Sequence, residues 1–336
     1  MRSFYQIQNS SIFQGKNKKR QYFEGWYFKV VDITQNSILA IIPGIALNSK
    51  SSNSYAFIQI LDGTTAKYHY LTFPISEFST KKDKFEIKIG KNYFSNNFIQ
   101  INVQSTEIQL SGRLKFVNLR PIPFQGINPG IMGIFSYLPK MECYHGIVSM
   151  NHKILGNLQF NNKKISFDGG KGYIEKDWGE SFPKKWIWMQ ANNFEESERS
   201  FMFSIAQIKY LGIQFIGFLC ILYDKGEFHR FATYNLSQFR IENITQEFCQ
   251  ITVHSPKFLL QINASKSRNP KNSTGLMKAP KKGKMSAKCA ETIKAQIKIS
   301  FSRKKGSSNS KRNYESVFKD HSNSGGLEIM GKKSDF

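Results

Sequence analysis

The stretch Phe85-Glu86-Ile87-Lys88-Ile89-Gly90-Lys91-Asn92-Tyr93-Phe94 shows the pattern that decides the fold. Apolar and charged side chains alternate from Phe85 to Ile89, which is typical of a strand with one buried face and one wet face. Gly90-Lys91 then turns the chain back toward Tyr93-Phe94, so the stretch predicts two neighbouring antiparallel strands. Each segment is too short to be an amphipathic helix of three turns.

The same alternation recurs along the whole chain and predicts about twelve to fifteen short strands with hardly a helix. The 29 Phe and 14 Tyr support this, because aromatic rings pack well on sheets. The fold class is therefore predicted as all-β, with two tandem antiparallel β-barrels or sandwiches. Further predicted strands cover residues 55–60, 98–103, 108–116, 146–150, 158–160, 165–167, 201–209, 214–223, 227–234, 248–254, 257–263 and 293–301.

Residues 119–140 contain four prolines and several glycines, and proline cannot donate to a β ladder. We therefore predict an N-terminal β domain over 1–118, a Pro/Gly-rich connection over 119–140 and a C-terminal β domain over 141–336. A basic insertion is expected around 264–288, and residues 302–313 are predicted as a loop.

The formal net charge is +24, and residues 263–336 carry 18 basic but only 5 acidic side chains. Of the 48 basic residues 38 are Lys, whereas phosphate and base recognition favours the Arg fork. Nucleic acid is therefore an unlikely partner, and no recognition motif supports one. The four cysteines form no CxxC pair, so no metal site is predicted from them.

The longest nearly apolar run, residues 210–223, is shorter than the roughly 20 residues that a membrane-spanning helix needs. The first residues show no secretory signal. We expect a soluble intracellular chain of unknown compartment, and a Lys-rich face leaves peripheral contact with an anionic membrane open.

Two blocks depart from simple alternation, and they hold all four tryptophans beside acidic residues. Their sequences are RQYFEGWYFKV at 20–30 and GYIEKDWGESFPKKWIWMQ at 172–190. An acid among aromatic rings loses hydration and can stay protonated near neutral pH, and ring faces stabilise a nearby cation. This mixture suits protonation of an alkene, although each acid could equally be a structural group bonded to backbone amides.

These two blocks resemble the signature segments of the tocopherol cyclase family. The resemblance continues through Met141-Glu142-Cys143-Tyr144-His145-Gly146 and Leu276-Met277-Lys278-Ala279-Pro280, and it ends with Gly326-Leu327-Glu328-Ile329-Met330-Gly331. It implies a tandem lipocalin-like β architecture, related to carotenoid hydratases, with an apolar cavity. It also implies closure of a chromanol ring: the prenyl double bond of a prenylated benzoquinol is protonated, and the phenol oxygen attacks the tertiary cation.

The resemblance implies no redox cofactor and no metal. The reaction needs a proton donor, a dry pocket and a fixed prenyl chain. Candidate donors are Glu175 and Asp177, then Glu24; plant members resemble this block with asparagine in place of Asp177, which favours Glu175. His145 is an alternative base. Expected substrate-binding residues are Trp26, Tyr27, Tyr173, Trp178, Trp186, Trp188 and Gln190, with His145.

Alternation places Glu175 and Asp177 on one strand face and Trp178 on the other, so a bulge would be needed to bring all three into one pocket. A function from another class stays open, because one scaffold can host several activities. In that alternative the protein is a non-catalytic lipocalin-like carrier of an isoprenoid or other lipid.

Overall fold

A computed structural model describes residues 3–266, 274–305 and 314–336. The described chain is built almost entirely of antiparallel strands, which confirms the predicted fold class. One short helix, α1, covers Phe4–Gln8, and short 3-10 helices lie at Ser51–Asn53, Ile75–Glu77, Gly133–Tyr137, Thr233–Asn235 and Lys333–Asp335. No helix among the described residues is both long and apolar enough to cross a bilayer.

The first twelve strands are β1 (Tyr22–Val31), β2 (Ile38–Leu47), β3 (Tyr55–Asp62), β4 (Tyr68–Pro74), β5 (Phe78–Thr80), β6 (Glu86–Ile89), β7 (Asn92–Ser95), β8 (Phe98–Gln104), β9 (Gln109–Val117), β10 (Cys143–Phe160), β11 (Lys163–Ser166) and β12 (Lys171–Gly179). The other ten are β13 (Trp186–Ala191), β14 (Arg199–Tyr210), β15 (Ile213–Asp224), β16 (Glu227–Ala232), β17 (Gln238–Ile244), β18 (Phe248–His254), β19 (Phe258–Ser265), β20 (Gly275–Lys281), β21 (Lys284–Lys304) and β22 (Tyr314–Met330).

The chain divides into two compact units. Unit 1 contains Met1–Phe182 and Gly275–Cys289, and unit 2 contains Pro183–Thr274 and Ala290–Phe336. In unit 1 the sheet runs β4-β3-β2-β1-β12-β10-β9-β8-β7-β6-β5, with β11 added beside β10. The second sheet runs β16-β15-β14-β13-β22-β21-β19-β18-β17, and β20, which belongs to unit 1, pairs with β21.

The expected domain boundary at 119–140 is wrong. The strands that follow it, β10 and β12, return to the sheet of the first 118 residues, because β12 pairs with β1 and β10 pairs with β9. Proline interrupts the ladder locally, but the chain re-enters the same sheet afterwards, so the Pro/Gly-rich segment is a connection within unit 1.

The basic insertion expected around 264–288 is also largely strand, since it contains the end of β19, all of β20 and the start of β21. Residues 267–273 of that expected insertion lie outside the described residues. Of the loop expected at 302–313, residues 302–304 end β21, and residues 306–313 lie outside the described part.

The apolar side chains of each unit pack against its own sheet. In unit 1 the Phe28 ring lies about 6 Å from the rings of Phe85, Phe94 and Phe116, which fixes the inner face of β1. In unit 2 the core includes Ile187, Met189 and further aliphatic and aromatic residues from β14 to β22. The side chains of β1 and β13 that point into these cores are used for packing. Those on the opposite faces are therefore available to a functional site.

Candidate functional site

Strand β12 lies at the centre of unit 1 between β1 and β10, and both of its faces are largely buried. Its register with β1 is continuous, with Tyr27 opposite Glu175 and Gly25 opposite Asp177. Because β12 has no bulge against β1, alternate side chains point to opposite sides. Tyr173, Glu175 and Asp177 lie on one side, and Lys176 and Trp178 lie on the other.

The first side carries a cluster formed by His145, Tyr173, Glu175 and Asp177, called here the acid cluster. His145 on β10 is opposite Asp177 on β12, and its Nδ1 lies 2.9 Å from Asp177 Oδ1. Its Nε2 lies 3.7 Å from Glu175 Oε2. The Tyr173 hydroxyl donates a hydrogen bond of 2.7 Å to Glu175 Oε2. Glu175 is only 4% exposed, so its carboxylate is almost fully shielded from water.

The two carboxylates of the acid cluster determine the charge of the imidazole between them. Burial alone would lower the pKa of His145, but the charges of Asp177 and Glu175 and the hydrogen bond to Asp177 outweigh it and raise that pKa to about 9. Burial and the charge of Glu175 raise the pKa of Tyr173 well above its usual value, so its phenol stays a donor. At neutral pH the cluster therefore holds an imidazolium between two acids.

This charge arrangement predicts how stability depends on pH. A histidine with a raised pKa stabilises the folded state fully below the unfolded value of 6.5, and this contribution is lost as pH rises through about 9. We expect the excess stability of wild type over His145→Gln to fall by up to about 3 kcal/mol between pH 6 and pH 10. Urea denaturation of both proteins across that range measures it, and a pH-independent difference would contradict the assignment.

The other side of β12 holds a buried ion pair between Glu24 and Lys176, both with fully buried side chains, 2.5 Å apart. Glu24 also accepts hydrogen bonds from the Tyr22 hydroxyl and from the Gln14 backbone N–H. Lys176 donates to the backbone carbonyls of Ser10 and Ile12. Through these bonds Glu24 and Lys176 hold residues 10–14 against the sheet. Glu24 is thus engaged in structural contacts, and the structure does not favour it as a proton donor.

Trp26 and Trp178 contact the lysine of this ion pair and are not part of the acid cluster. The Lys176 ammonium lies 4.7 Å from each indole ring centre, and the Trp26 Nε1 donates to the Ser11 carbonyl. The expectation that these two indoles wall the pocket of Glu175 is therefore wrong, because the regular alternation of β12 turns them to the opposite face. Their negative ring faces stabilise the buried ammonium instead.

Trp186, Trp188 and Gln190 lie in unit 2 on one face of β13, opposite the face that carries Ile187 and Met189 into the core. Trp186 Nε1 donates to Glu328 on β22, and the Trp188 ring covers Gly326, where a Cβ atom would lie 2.6 Å from it. The Gln190 side chain donates to the Asn192 Oδ1 at 3.3 Å. The sequence prediction missed Glu328 as a partner of these tryptophans, although it lies in the last family segment.

Beside the acid cluster the sheet of unit 1 has an apolar floor, formed by Gly25, Gly44 and the Phe57 ring. Gly25 is opposite both Asp177 and Gly44, and Gly44 is opposite Phe57 on β3. A Cβ atom on Gly44 would lie 2.5 Å from Phe57 Cζ, so only glycine lets that ring lie flat over the strand. The Phe57 ring in turn stacks on Tyr70 at 5.7 Å. The sequence analysis did not predict this floor, because nothing in the local sequence indicates that these strands are neighbours.

Two groups of described side chains could hold a metal ion by geometry. His145, Glu175 and Asp177 offer ligand atoms within 4.8 Å of one another, and so do Glu195, Asp320 and His321. In the second group Asp320 already pairs with Arg199 and accepts backbone N–H bonds from Glu195 and Glu196. In the first group His145 Nδ1 already pairs with Asp177, and Glu175 accepts a hydrogen bond from the Tyr173 hydroxyl.

Comparison with known proteins decides the family. The family described as tocopherol cyclase-like matches residues 121–331. The chain belongs to this family. A 62-residue segment is 31% identical to the probable chloroplastic tocopherol cyclase of Oryza sativa subsp. japonica and to the chloroplastic tocopherol cyclase of Zea mays. Each match spans 18% of this chain and only 13% of the length of the plant protein.

The solved structures that this chain resembles extend the likeness to the whole fold. It resembles CghA with a TM-score of 0.56 at 8% identity, over 93% of this chain and 89% of that one. It resembles kievitone hydratase from Nectria haematococca with a TM-score of 0.52 at 9% identity, over 96% and 94% of the two chains. At these identities the likeness concerns the fold, and it supports the expected pair of tandem lipocalin-like β domains.

Proposed function

We propose that this protein closes a chromanol ring by protonating the prenyl double bond of a prenylated benzoquinol. The observation that carries the proposal is the acid cluster of His145, Tyr173, Glu175 and Asp177 on one buried face of unit 1. Family membership supports a cyclase-type activity.

Glu175 acts as the proton donor in this mechanism. The carboxylate oxygens of Glu175 and Asp177 lie within 4.8 Å of each other, and the proton on the His145 imidazolium between them offsets their mutual repulsion. Asp177 holds the imidazolium through Nδ1, and Nε2 faces Glu175. Tyr173 fixes the Glu175 carboxyl by its hydrogen bond. The cluster's proton rests on the His145 imidazolium, and Glu175 is the buried, oriented group that takes it from Nε2 and delivers it to the substrate.

The proton balance closes within the acid cluster. Glu175 transfers its proton to the less substituted alkene carbon, which leaves a carboxylate beside the tertiary cation. The phenol oxygen then forms the new C–O bond, and its proton returns to Glu175. The substrate is isomerised, and the enzyme regains its starting charge. His145 supplies this proton through Glu175 and takes it back, and Asp177 is a positioning residue that holds the imidazole through Nδ1.

The floor formed by Gly25, Gly44 and the Phe57 ring supports an apolar substrate next to the donor. Strands lie about 4.8 Å apart, so Gly25 puts a side-chain-free strip one strand from Asp177. The missing side chain at Gly25 and the apolar Phe57 ring beside it are suited to contact a prenyl chain. Tyr27, opposite Glu175 on the same face, is suited to orient the phenol by a hydrogen bond.

Turnover in D2O tests the proposal directly. Ring closure leaves the mass unchanged in H2O, whereas protonation of the alkene in D2O puts one non-exchangeable deuterium on carbon. We expect a chromatographically distinct chromanol that carries this single deuterium after incubation with a prenylated benzoquinol. Bound but unconverted quinol would instead indicate a lipid carrier without catalysis, and this result would overturn the proposal.

A further inference from the structure

The β14–β15 hairpin of unit 2 extends beyond its neighbouring strands. β14 pairs with β13 only as far as Ala206, and β15 pairs with β16 only from Leu219 onward. Among the described strands, residues 208–215 therefore pair only with each other. At about 3.3 Å per residue the end of the hairpin extends about 10 Å past the last backbone bond to β13.

The end of this hairpin, residues 208–215, has one apolar face and is called here the hairpin tip. Tyr210 is opposite Ile213 and Ile208 is opposite Phe215, so these four side chains share one face. Leu211 forms the turn and is 75% exposed, and Ile213 is 68% exposed. Such a contiguous apolar surface on an isolated hairpin is unfavourable in water and marks an interaction site.

Basic residues lie at the same end of unit 2 as the hairpin tip. β13 begins at Trp186, which is opposite both Ala206 on β14 and Met330 at the end of β22. The residues just before β13 and just after β22 therefore lie at the same end of unit 2 as the tip. These residues include Lys184, Lys185, Lys332 and Lys333. With Lys209 of the hairpin tip itself, this end of unit 2 carries these five lysines. Asp335 balances one of them through its contact with Lys185 at 3.6 Å.

We propose that the hairpin tip and these lysines form a docking surface for an anionic lipid bilayer. The length of the tip matches the 5–10 Å by which interfacial segments enter the headgroup region. Moving Leu211 and Ile213 out of water lowers the free energy of the bound state. The negative surface potential of the bilayer attracts each lysine and lowers it further. A second copy of this chain is a poor occupant, because a symmetric contact would place five lysines against five lysines.

Vesicle sedimentation tests this surface without any substrate, so its outcome is independent of the proposed ring closure. Wild type is mixed with phosphatidylcholine vesicles that either contain or lack phosphatidylserine. The double variant Leu211→Ser/Ile213→Ser removes the apolar part, and Lys184→Gln/Lys209→Gln weakens the basic part. Ile33→Ser is the matched control, because Ile33 is 70% exposed but lies in unit 1.

We expect wild type to bind only the vesicles that contain phosphatidylserine and to lose binding at high salt. The Leu211/Ile213 variant should bind about tenfold more weakly or worse, the lysine variant should lose several-fold, and Ile33→Ser should bind like wild type. Three results would overturn the proposal. They are absence of wild-type binding, equal binding of the Leu211/Ile213 variant, and self-association in solution that this variant abolishes.

Discussion

Glu175→Gln is expected to lower kcat for ring closure by about 10²- to 10⁴-fold, the usual contribution of a positioned general acid. Glutamine keeps the size of the side chain and can still accept the Tyr173 hydrogen bond, but its amide can neither take up the proton nor deliver it to the alkene. Single-turnover incorporation of deuterium from D2O measures the effect on the chemical step. The KM for the quinol should change little, because the amide occupies the same volume.

Glu86→Gln is the matched control for this experiment. This variant makes the same change from carboxylate to amide, but at an exposed position of β6 in the same unit. Its kcat should equal that of wild type. If Glu175→Gln turned over as fast as Glu86→Gln, the donor would have to be another group, and the mechanism proposed above would be wrong.

Glu24→Gln is expected to lower the free energy of unfolding by about 3–5 kcal/mol, because it leaves the buried Lys176 ammonium without its carboxylate. Lys176→Met should destabilise in the same way, since it leaves Glu24 buried with a charge. The double variant Glu24→Gln/Lys176→Met should lose less than the sum of the two single losses, because neither charge then remains. Urea denaturation of the three variants measures this cycle.

A surface ion pair provides the comparison for Glu24 and Lys176. Arg240 lies 2.6 Å from Glu242, but its side chain is 64% exposed. Glu242→Gln should therefore cost no more than about 1 kcal/mol. An equal cost for Glu24→Gln and Glu242→Gln would show that the buried pair does not anchor residues 10–14 as the structure indicates.

The positions of the strands could be predicted from the sequence, because alternation with a period of two is a local property. The strand predicted at 98–103 corresponds to β8 at Phe98–Gln104, and the one at 108–116 corresponds to β9 at Gln109–Val117. The domain boundary could not be predicted in this way. Proline and glycine show where a ladder is interrupted, but they do not show which sheet the chain joins next.

The sequence by itself determined the antiparallel β architecture, the family and the separation of Glu175 from Trp178 on opposite faces of β12. Only the tertiary structure decided that Lys176 and Glu24 neutralise each other and that His145 lies against Glu175 and Asp177. Side-chain alternation is fixed within one strand, whereas these contacts depend on β1, β10 and β12 being neighbours. Those pairings join distant parts of the chain, and burial of both sheet faces selects them.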